Sequence, residues 1–223
     1  LDPTRPTSAG INGIGGSGGG EKLDPAFQFL DVGGYNYMPN LYELDHARHP
    51  NRVILGTESF PRAAYPSWRP VEQFPYVIGD FVWTGMDYLG ESGLAHSIVG
   101  TGRSGFFLPW PWFNAWCGDL DICGFKKPQS FYRDVVWRRS QIEMMVHTPI
   151  PEGQRERVSG WGWPDEAQSW NWSGQEGKPL QVAVYSRCES VRLELNGQVI
   201  GEKPVSAATK LTAKFDVPYA PGE

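Results

Sequence analysis

The chain is poor in cysteine, has no long apolar run and has no block of lysine and arginine among its 223 residues. The spacing of its three cysteines, Cys117, Cys123 and Cys188, does not fit zinc ligands and indicates ordinary thiols. No stretch approaches the ~18 apolar residues that span a bilayer, and no signal peptide is evident, so we expect no membrane partner. A formal net charge of −5 argues against nucleic acid as a partner. We predict neither a metal site nor a cofactor.

Tryptophan, unlike cysteine, is abundant in this chain. The chain has 10 tryptophans, several of them in two clusters, Pro109–Trp116 and Gly160–Trp172. Large aromatic side chains bury much apolar area and also form flat binding surfaces. The clusters therefore indicate either pockets for flat ligands or loops packed by their own side chains.

The glycine-rich stretch Gly10–Lys22 contains two motif matches. Gly13, Gly15 and Gly18 fit the dinucleotide-binding fingerprint, and Ser17 fits the nucleophile position of a serine hydrolase. Both motifs need a strong strand before them and a helix after them, and the sequence EKLDPAF that follows predicts neither. We interpret the stretch as a loop, with a serine hydrolase kept as a weaker hypothesis.

Alternating strand and helix patterns dominate the first part of the chain. Because the strands lack clean alternation of apolar and polar residues, they are typical of a parallel sheet that is buried on both faces. An α/β fold is therefore predicted, and in β/α barrels the active-site groups lie at the carboxyl ends of the strands. The predicted strands are 27–38, 52–59 and 76–83, and the predicted helices are 41–50 and 127–142.

A different pattern follows Pro149-Ile150-Pro151. Residues 179–203 alternate with a period of two and contain Asn196-Gly197, a strong hairpin signal. A further strand is expected from Leu211. These strands predict an all-β, immunoglobulin-like sandwich that is incomplete, because such a domain needs about seven strands. We place the domain boundary between residues 146 and 147, which gives domains 1–146 and 147–223.

Candidate site residues lie at the same end of three neighbouring predicted strands. Asn36 and Tyr37 lie at the end of the first strand, Glu58 at the end of the second and Trp83 at the end of the third, with Asp87 just beyond it. Hydrolysis of a sugar needs a carboxylate below the anomeric carbon, donors for hydroxyl groups and an aromatic surface for C–H bonds. The five side chains supply these groups and predict a carbohydrate site.

Each candidate also has a structural interpretation. Glu58 would cap the next turn or pair with Arg62, and Tyr37 would be a buried tyrosine with a satisfied hydroxyl. Asn36 would be a turn residue, and Trp83 would belong to the core. Asp87 and Glu91, which are candidates for binding sugar hydroxyls, would pair with nearby arginines. From the residues alone, these alternatives stay open.

The motifs DPTRP, GYNYM, VILGTES and GDFVWTGMDYLGE, in this order, resemble glycoside hydrolase family 2, and within it the bacterial β-galactosidases. The resemblance implies the C-terminal half of a (β/α)8 TIM barrel, followed by part of an immunoglobulin-like domain. It implies that Glu58 is the nucleophile, that Tyr37 hydrogen-bonds to it and that Trp83 lines the sugar pocket.

One motif of this family has no counterpart in the chain. Members carry an Asn-Glu pair whose glutamate is the general acid/base, and no Asn-Glu dipeptide occurs in this sequence. A complete barrel takes about 250 residues, and only strands 5 to 8 are expected here. We therefore expect a fragment whose partner is the remaining N-terminal part of the same enzyme, and which is inactive alone.

The resemblance implies a retaining β-galactosidase that cleaves terminal β-galactosides through a covalent glycosyl-enzyme intermediate. The alternatives are a β-glucuronidase or β-mannosidase of the same family, and a non-catalytic carbohydrate-binding module. A periplasmic or secreted location is expected, with the cytoplasm as the alternative.

Overall fold

The structure, a computed structural model, describes residues 3–12, 20–100 and 107–223. It forms two compact units, Leu1–Gly85 and Met86–Glu223. The motif matches at Gly13, Gly15, Ser17 and Gly18 lie outside the described residues. Among the described residues, no helix has the length and apolar character needed to cross a membrane. The described residues also contain no cluster of three or more His, Cys, Asp and Glu side chains that could hold a metal ion.

The first unit contains a four-stranded parallel sheet in the order β1-β2-β3-β4. Helical segments lie in each of the connections between consecutive strands. Parallel strands need such crossovers because a tight turn cannot join them. The strands are β1 Ser8–Ile11, β2 Val32–Asn36, β3 Val53–Ser59 and β4 Val77–Val82. The α-helices are α1 Asp24–Phe27, α2 Tyr42–Arg48 and α3 Ala64–Gln73, and the 3-10 helices are Gly20–Leu23, Pro39–Leu41 and Pro61–Ala63. The predicted strands at β3 and β4 and the helix at α2 are confirmed.

The start of the sheet differs in two ways from what the sequence predicts. Strand β1 is not predicted by the sequence, and the predicted strand 27–38 is shorter, because Phe27 ends helix α1. Pro25 lies in the first turn of α1, where its missing N–H removes no helical hydrogen bond. Gly34 lets β1 approach β2, since a Cβ atom there would lie 2.3 Å from the Ala9 carbonyl oxygen.

Aromatic side chains form the centre of the core of the first unit. The Tyr35 side chain is fully buried, with ring centroids 4.8 Å from Phe27 and 5.3 Å from Tyr42. Its hydroxyl donates to Oδ2 of the buried Asp45 at 2.8 Å, so the buried phenol has a hydrogen-bond partner. The core consists of Leu23, Phe27, Tyr35, Met38, Leu41, Tyr42, Ile54 and Val77.

The second unit is built mainly from antiparallel strands. Its largest sheet has four strands in the order β10-β8-β11-β14, and β12 and β13 form a hairpin across Asn196-Gly197 as predicted. Helix α4, Pro128–Val136, confirms the predicted final helix in a shorter form. The strands are β5 Tyr88–Leu89, β6 Ser97–Val99, β7 Asn114–Ala115, β8 Ile142–His147, β9 Glu156–Val158, β10 Glu166–Ala167, β11 Pro179–Ser186, β12 Ser190–Leu195, β13 Gln198–Pro204 and β14 Thr212–Pro218.

The largest antiparallel sheet begins before the predicted domain boundary. Strand β8 pairs with β11 from Ile142 onwards, so the boundary between 146 and 147 falls inside a strand. The compact units divide earlier, after Gly85. A boundary at the loop before β8 fits the hydrogen bonding better, because a domain limit inside a paired strand would split one sheet.

Candidate active site

Backbone hydrogen bonds bring four of the predicted site residues together at the carboxyl ends of β2, β3 and β4. The Tyr37 amide donates to the Glu58 carbonyl oxygen at 2.7 Å, and Asn36 is the register partner of Glu58. The Trp83 amide donates to the Ser59 carbonyl oxygen at 2.9 Å. Asn36, Tyr37, Glu58 and Trp83 therefore lie at one edge of the parallel sheet, as the sequence predicts.

The strand that carries Glu58 is irregular on both of its sides. The register between β2 and β3 shifts between Tyr35 and Asn36, and the register between β3 and β4 shifts between Gly56 and Ser59. Such irregularities reorient a side chain locally, and they are over-represented next to active sites. The position of Glu58 is thus set by two neighbouring strands.

The side chains at this edge differ in their partners. Asn36 is buried, and its Oδ1 accepts a hydrogen bond from Thr57 Oγ1 at 2.6 Å. The Tyr37 ring packs against Phe60 with a centroid distance of 4.3 Å. Glu58 is partly exposed, and in the described part of the chain its carboxylate forms no hydrogen bond or ion pair. A carboxylate in this state can approach a ligand without first breaking an internal bond.

Tyr37 has an unusual backbone conformation. Its φ of 62° lies in the left-handed region, which a bulky non-glycine residue rarely adopts. Outliers of this kind persist only where the surroundings fix them, and they cluster at functional sites. Trp83 is partly exposed, and a cis peptide bond joins it to Thr84.

Asp80, a buried aspartate on β4, supports strand β3, which carries Glu58. The sequence does not single out Asp80 as a candidate residue. Ser59 Oγ, directly after Glu58, donates to Asp80 Oδ2 at 2.7 Å and so ties β3 to β4. Burial, and then the charge of Asp80, raises the pKa of Tyr42. The signal available in the sequence was an aspartate in the middle of an apolar strand.

Asp87 lies in the second unit, and its geometry favours the structural interpretation over sugar binding. Its side chain is fully buried, and Lys127 Nζ donates to Oδ1 at 2.9 Å and to Oδ2 at 3.1 Å. The Gly118 amide also donates to Oδ1 at 2.7 Å. Burial raises the pKa of Asp87 and lowers the pKa of Lys127, while their mutual hydrogen bonds oppose both shifts. The partner is thus a lysine rather than the expected arginine, and a sugar hydroxyl has no access to the carboxylate.

Glu91 also lies in the second unit but is exposed. Its carboxylate accepts a hydrogen bond from the Tyr88 hydroxyl, and its φ is 31°. An exposed carboxylate with one local partner retains acceptor capacity for a hydroxyl group. The structure therefore leaves Glu91 as a candidate for binding sugar.

Comparisons with known proteins found one matching family model and several similar proteins. A family model described as "Domain of unknown function (DUF4982)" matches residues 177–223. A curated putative β-glucuronidase of Formosa agariphila is 29% identical over 157 residues, which are 70% of this chain and 12% of that protein. The β-galactosidase BoGH2A of Bacteroides ovatus is 24% identical over 253 aligned residues, covering 91% of this chain and 24% of that protein.

A solved structure matches almost the whole chain. The glycosyl hydrolase family 2 member from Bacteroides cellulosilyticus is 39% identical, with a TM-score of 0.83, over 99% of this chain and 28% of its own length. The chain thus spans at most about a quarter of the length of the curated relatives it matches. With this likeness in sequence and fold, the chain belongs to glycoside hydrolase family 2.

Proposed function

We propose that the chain carries the nucleophile of a retaining β-galactosidase, and that Glu58 is this nucleophile. The supporting observation is the backbone pairing that holds Asn36, Tyr37, Glu58 and Trp83 at the carboxyl ends of three adjacent parallel strands. This arrangement brings residues with a carboxylate, a phenol and an indole to one edge of the sheet, and these are groups that sugar hydrolysis uses.

The proposal includes the architecture around the site. The four parallel strands of the first unit would be the last four strands of a (β/α)8 barrel, whose active site lies at the carboxyl ends of the strands. The antiparallel sheet and the β12–β13 hairpin would be part of an immunoglobulin-like sandwich. The remaining strands of the barrel, in an N-terminal part of the same enzyme, would complete the cleft.

The proposed reaction has two steps with Glu58 as the attacking group. A Glu58 carboxylate oxygen forms a bond to the anomeric carbon while the glycosidic C–O bond breaks, and the leaving oxygen takes a proton from a carboxylic acid. That acid would come from the Asn-Glu motif, which this chain lacks. A water molecule then attacks the anomeric carbon and passes its proton to the same group, and the bond to Glu58 breaks.

The neighbouring side chains would have distinct roles. Among the described residues the Glu58 carboxylate accepts no hydrogen bond from the Tyr37 hydroxyl, so that bond stays part of the proposal, in which it would hold Glu58 in its attacking rotamer. The Trp83 ring would cover the C–H face of the sugar. Asn36 would bind a sugar hydroxyl, and the sugar-binding role of Glu91, in the second unit, stays a separate prediction. The buried ion pair of Asp87 supports no such role for it.

A β-glucuronidase is the second candidate, because the 29% identical curated relative is a putative enzyme of that name. The two sugars differ at C5, which carries a hydroxymethyl group in a galactoside and a carboxylate in a glucuronide, and in the C4 hydroxyl, which is axial in a galactoside and equatorial in a glucuronide. Turnover of matched nitrophenyl β-galactoside and β-glucuronide by the full-length enzyme separates them, and preference for the glucuronide would exclude the galactosidase.

The nucleophile is tested by Glu58→Gln in the full-length enzyme. We expect turnover to fall by at least about 10³-fold, because the carbon–oxygen bond to the enzyme no longer forms, while the affinity for the sugar persists. Glu43→Gln, on the exposed face of α2, is the matched control and should leave turnover unchanged. Loss of less than tenfold in Glu58→Gln would refute the assignment and favour a non-catalytic carbohydrate-binding module.

The chain 1–223 by itself should not hydrolyse nitrophenyl β-galactoside, because it lacks the Asn-Glu acid. Turnover by this chain at a rate comparable to that of the full-length enzyme would show that the acid/base lies among its own residues.

A further inference from the structure

Strand β3 has one extra residue beside Glu58 when it is compared with β2. The consecutive residues Tyr35 and Asn36 of β2 pair with Gly56 and Glu58 of β3, so Thr57 has no counterpart on β2. An extra residue of this kind forms a β-bulge, which leaves that residue unpaired and disrupts the ladder of backbone hydrogen bonds locally.

Strand β3 has the same excess when it is compared with β4. Its residues Gly56 and Ser59 are three positions apart, whereas their partners on β4, Asp80 and Val82, are two positions apart. The bulge therefore makes the backbone pairing irregular on both sides of β3. It contains Glu58, whose carboxylate has no partner of its own among the described residues. The direction of this side chain thus depends on contacts that fix the backbone of the bulge.

The hydroxyl groups of the two residues that flank Glu58 supply such contacts. Thr57 Oγ1 donates to Asn36 Oδ1 on β2 at 2.6 Å. Ser59 Oγ donates to Asp80 Oδ2 on β4 at 2.7 Å. Asn36 and Asp80 are 5% and 9% exposed, so water competes poorly for either bond. Side chains therefore tie the bulge to both neighbouring strands where its backbone pairing is irregular.

Two glycines leave the space beside these hydrogen bonds. A Cβ atom at Gly10 would lie 2.7 Å from Asn36 Oδ1 and 3.2 Å from Thr57 Oγ1. A Cβ atom at Gly56 would lie 2.6 Å from Asp80 Oδ1. Contacts of a Cβ atom below 3.0 Å force the neighbouring atoms to shift, so a side chain at either glycine would displace the adjacent pair. The strand positions that border the two bonds are thus kept free of side chains.

We propose that Thr57 and Ser59 are positioning residues, which lock the bulge of β3 and so fix the direction of the Glu58 side chain. Neither hydroxyl touches the sugar, because each acts through the backbone of β3. A displacement of about 1 Å at a reacting group can slow a reaction about 10²-fold, so a small movement of the bulge is enough to impair the attack. This role rests on the proposed function, because it requires Glu58 to be the nucleophile.

Covalent labelling of the full-length enzyme measures the attack of Glu58 separately from substrate binding. The reagent is the dinitrophenyl 2-deoxy-2-fluoro glycoside of galactose or glucuronic acid, whichever sugar the enzyme turns over faster. A Glu58 oxygen bonds to the anomeric carbon as the bond to dinitrophenolate breaks, and this leaving group needs no proton. The fluorine slows release of the sugar, so labelled protein accumulates and mass spectrometry follows it. With saturating reagent, the rate constant reports the attack, and the final amplitude reports the folded fraction.

Variants that lack either hydroxyl should label more slowly. Thr57→Val, which keeps the shape of the side chain, and Ser59→Ala should each lower the rate constant at least about tenfold at full amplitude. Thr57→Ser keeps the hydroxyl and should stay within about threefold of the parent enzyme. Ser8→Ala is the matched control, because the Ser8 hydroxyl donates to the Val32 carbonyl oxygen at 3.0 Å at the opposite end of the sheet. It should leave the rate constant unchanged.

Peptide mapping of the label separates the positioning role from the proposed function. With the label on Glu58, a rate constant within about threefold of the parent in Thr57→Val or Ser59→Ala would overturn the positioning role of that residue. Loss of amplitude alone would show that the hydroxyl only stabilises the fold, which also overturns its positioning role. Label on a residue other than Glu58 would refute the nucleophile assignment, and the positioning role with it.

Discussion

Replacing Lys127 by methionine tests whether the ion pair with Asp87 stabilises the second unit. The substitution keeps the length and most of the apolar volume of the side chain but removes the ammonium group. Asp87 then keeps the Gly118 amide as a donor but loses both hydrogen bonds from Nζ. Its carboxylate is fully buried, so water cannot replace them without local opening.

The expected loss of stability is large because a buried charge remains without its partner. Breaking a buried ion pair by removing one member costs about 3–5 kcal/mol. Asp87→Asn should cost less than Lys127→Met, because Lys127 Nζ still donates to the Trp116 carbonyl oxygen at 2.6 Å and lies 4.5 Å from the Trp116 ring centroid. The double variant should lose about 2–3 kcal/mol less than the sum of the single variants, since no unpaired charge remains.

Urea unfolding monitored by tryptophan fluorescence measures these differences. The second unit contains every tryptophan except Trp68 and Trp83, so the signal reports mainly on that unit. With a urea slope of about 1–3 kcal/mol per molar, the midpoint of Lys127→Met should fall by at least about 1 M. A loss below about 1 kcal/mol, or additive effects in the double variant, would refute the structural role of the pair.

Two further predictions concern other contacts. His147 Nε2 hydrogen-bonds to Glu156 and Nδ1 to the Thr148 carbonyl oxygen, and these two partners, Glu156 first, raise the pKa of His147 above its ordinary value of 6.5. The stability that the protonated His147 gives the fold should therefore be complete below pH 6.5 and be lost as the pH rises through the pKa of the folded state. His147→Gln should flatten that slope in urea unfolding measured from pH 5 to 9, and an unchanged slope would contradict the assignment. Ser59→Ala should destabilise the first unit by about 1–3 kcal/mol, because Asp80 loses a buried donor; hydrogen exchange of β3 amides measures this, and exchange equal to that of the parent chain would show that the bond is unimportant.

Local sequence patterns predict the elements that carry the site. The apolar run before Glu58 gives β3, the run from Val77 gives β4, and Asn196-Gly197 gives the hairpin between β12 and β13. In each case, the residues that determine the element lie within the element or directly beside it. The ends of β2, β3 and β4 meet because parallel strands share their direction, so the strand assignments also predict the proximity of Asn36 and Glu58.

Features that depend on distant residues could not be predicted in this way. Strand β1 is four residues long, and its hydrogen bonds come from β2, 24 positions further along the chain. The partner of Asp87 is 40 residues away, and no periodic pattern connects it to Lys127. Phe27 belongs to an apolar run that suits either a strand or a helix, and Pro25 together with the core decides for the helix.

The left-handed backbone at Tyr37 restricts which residues can replace it at this edge of the parallel sheet. Glycine, asparagine, aspartate and histidine adopt that conformation most readily, whereas valine, isoleucine and threonine are strained there. Randomised libraries at position 37 should therefore return folded clones from a narrow chemical set. Sequence diversity is better placed at neighbouring positions with ordinary dihedral angles.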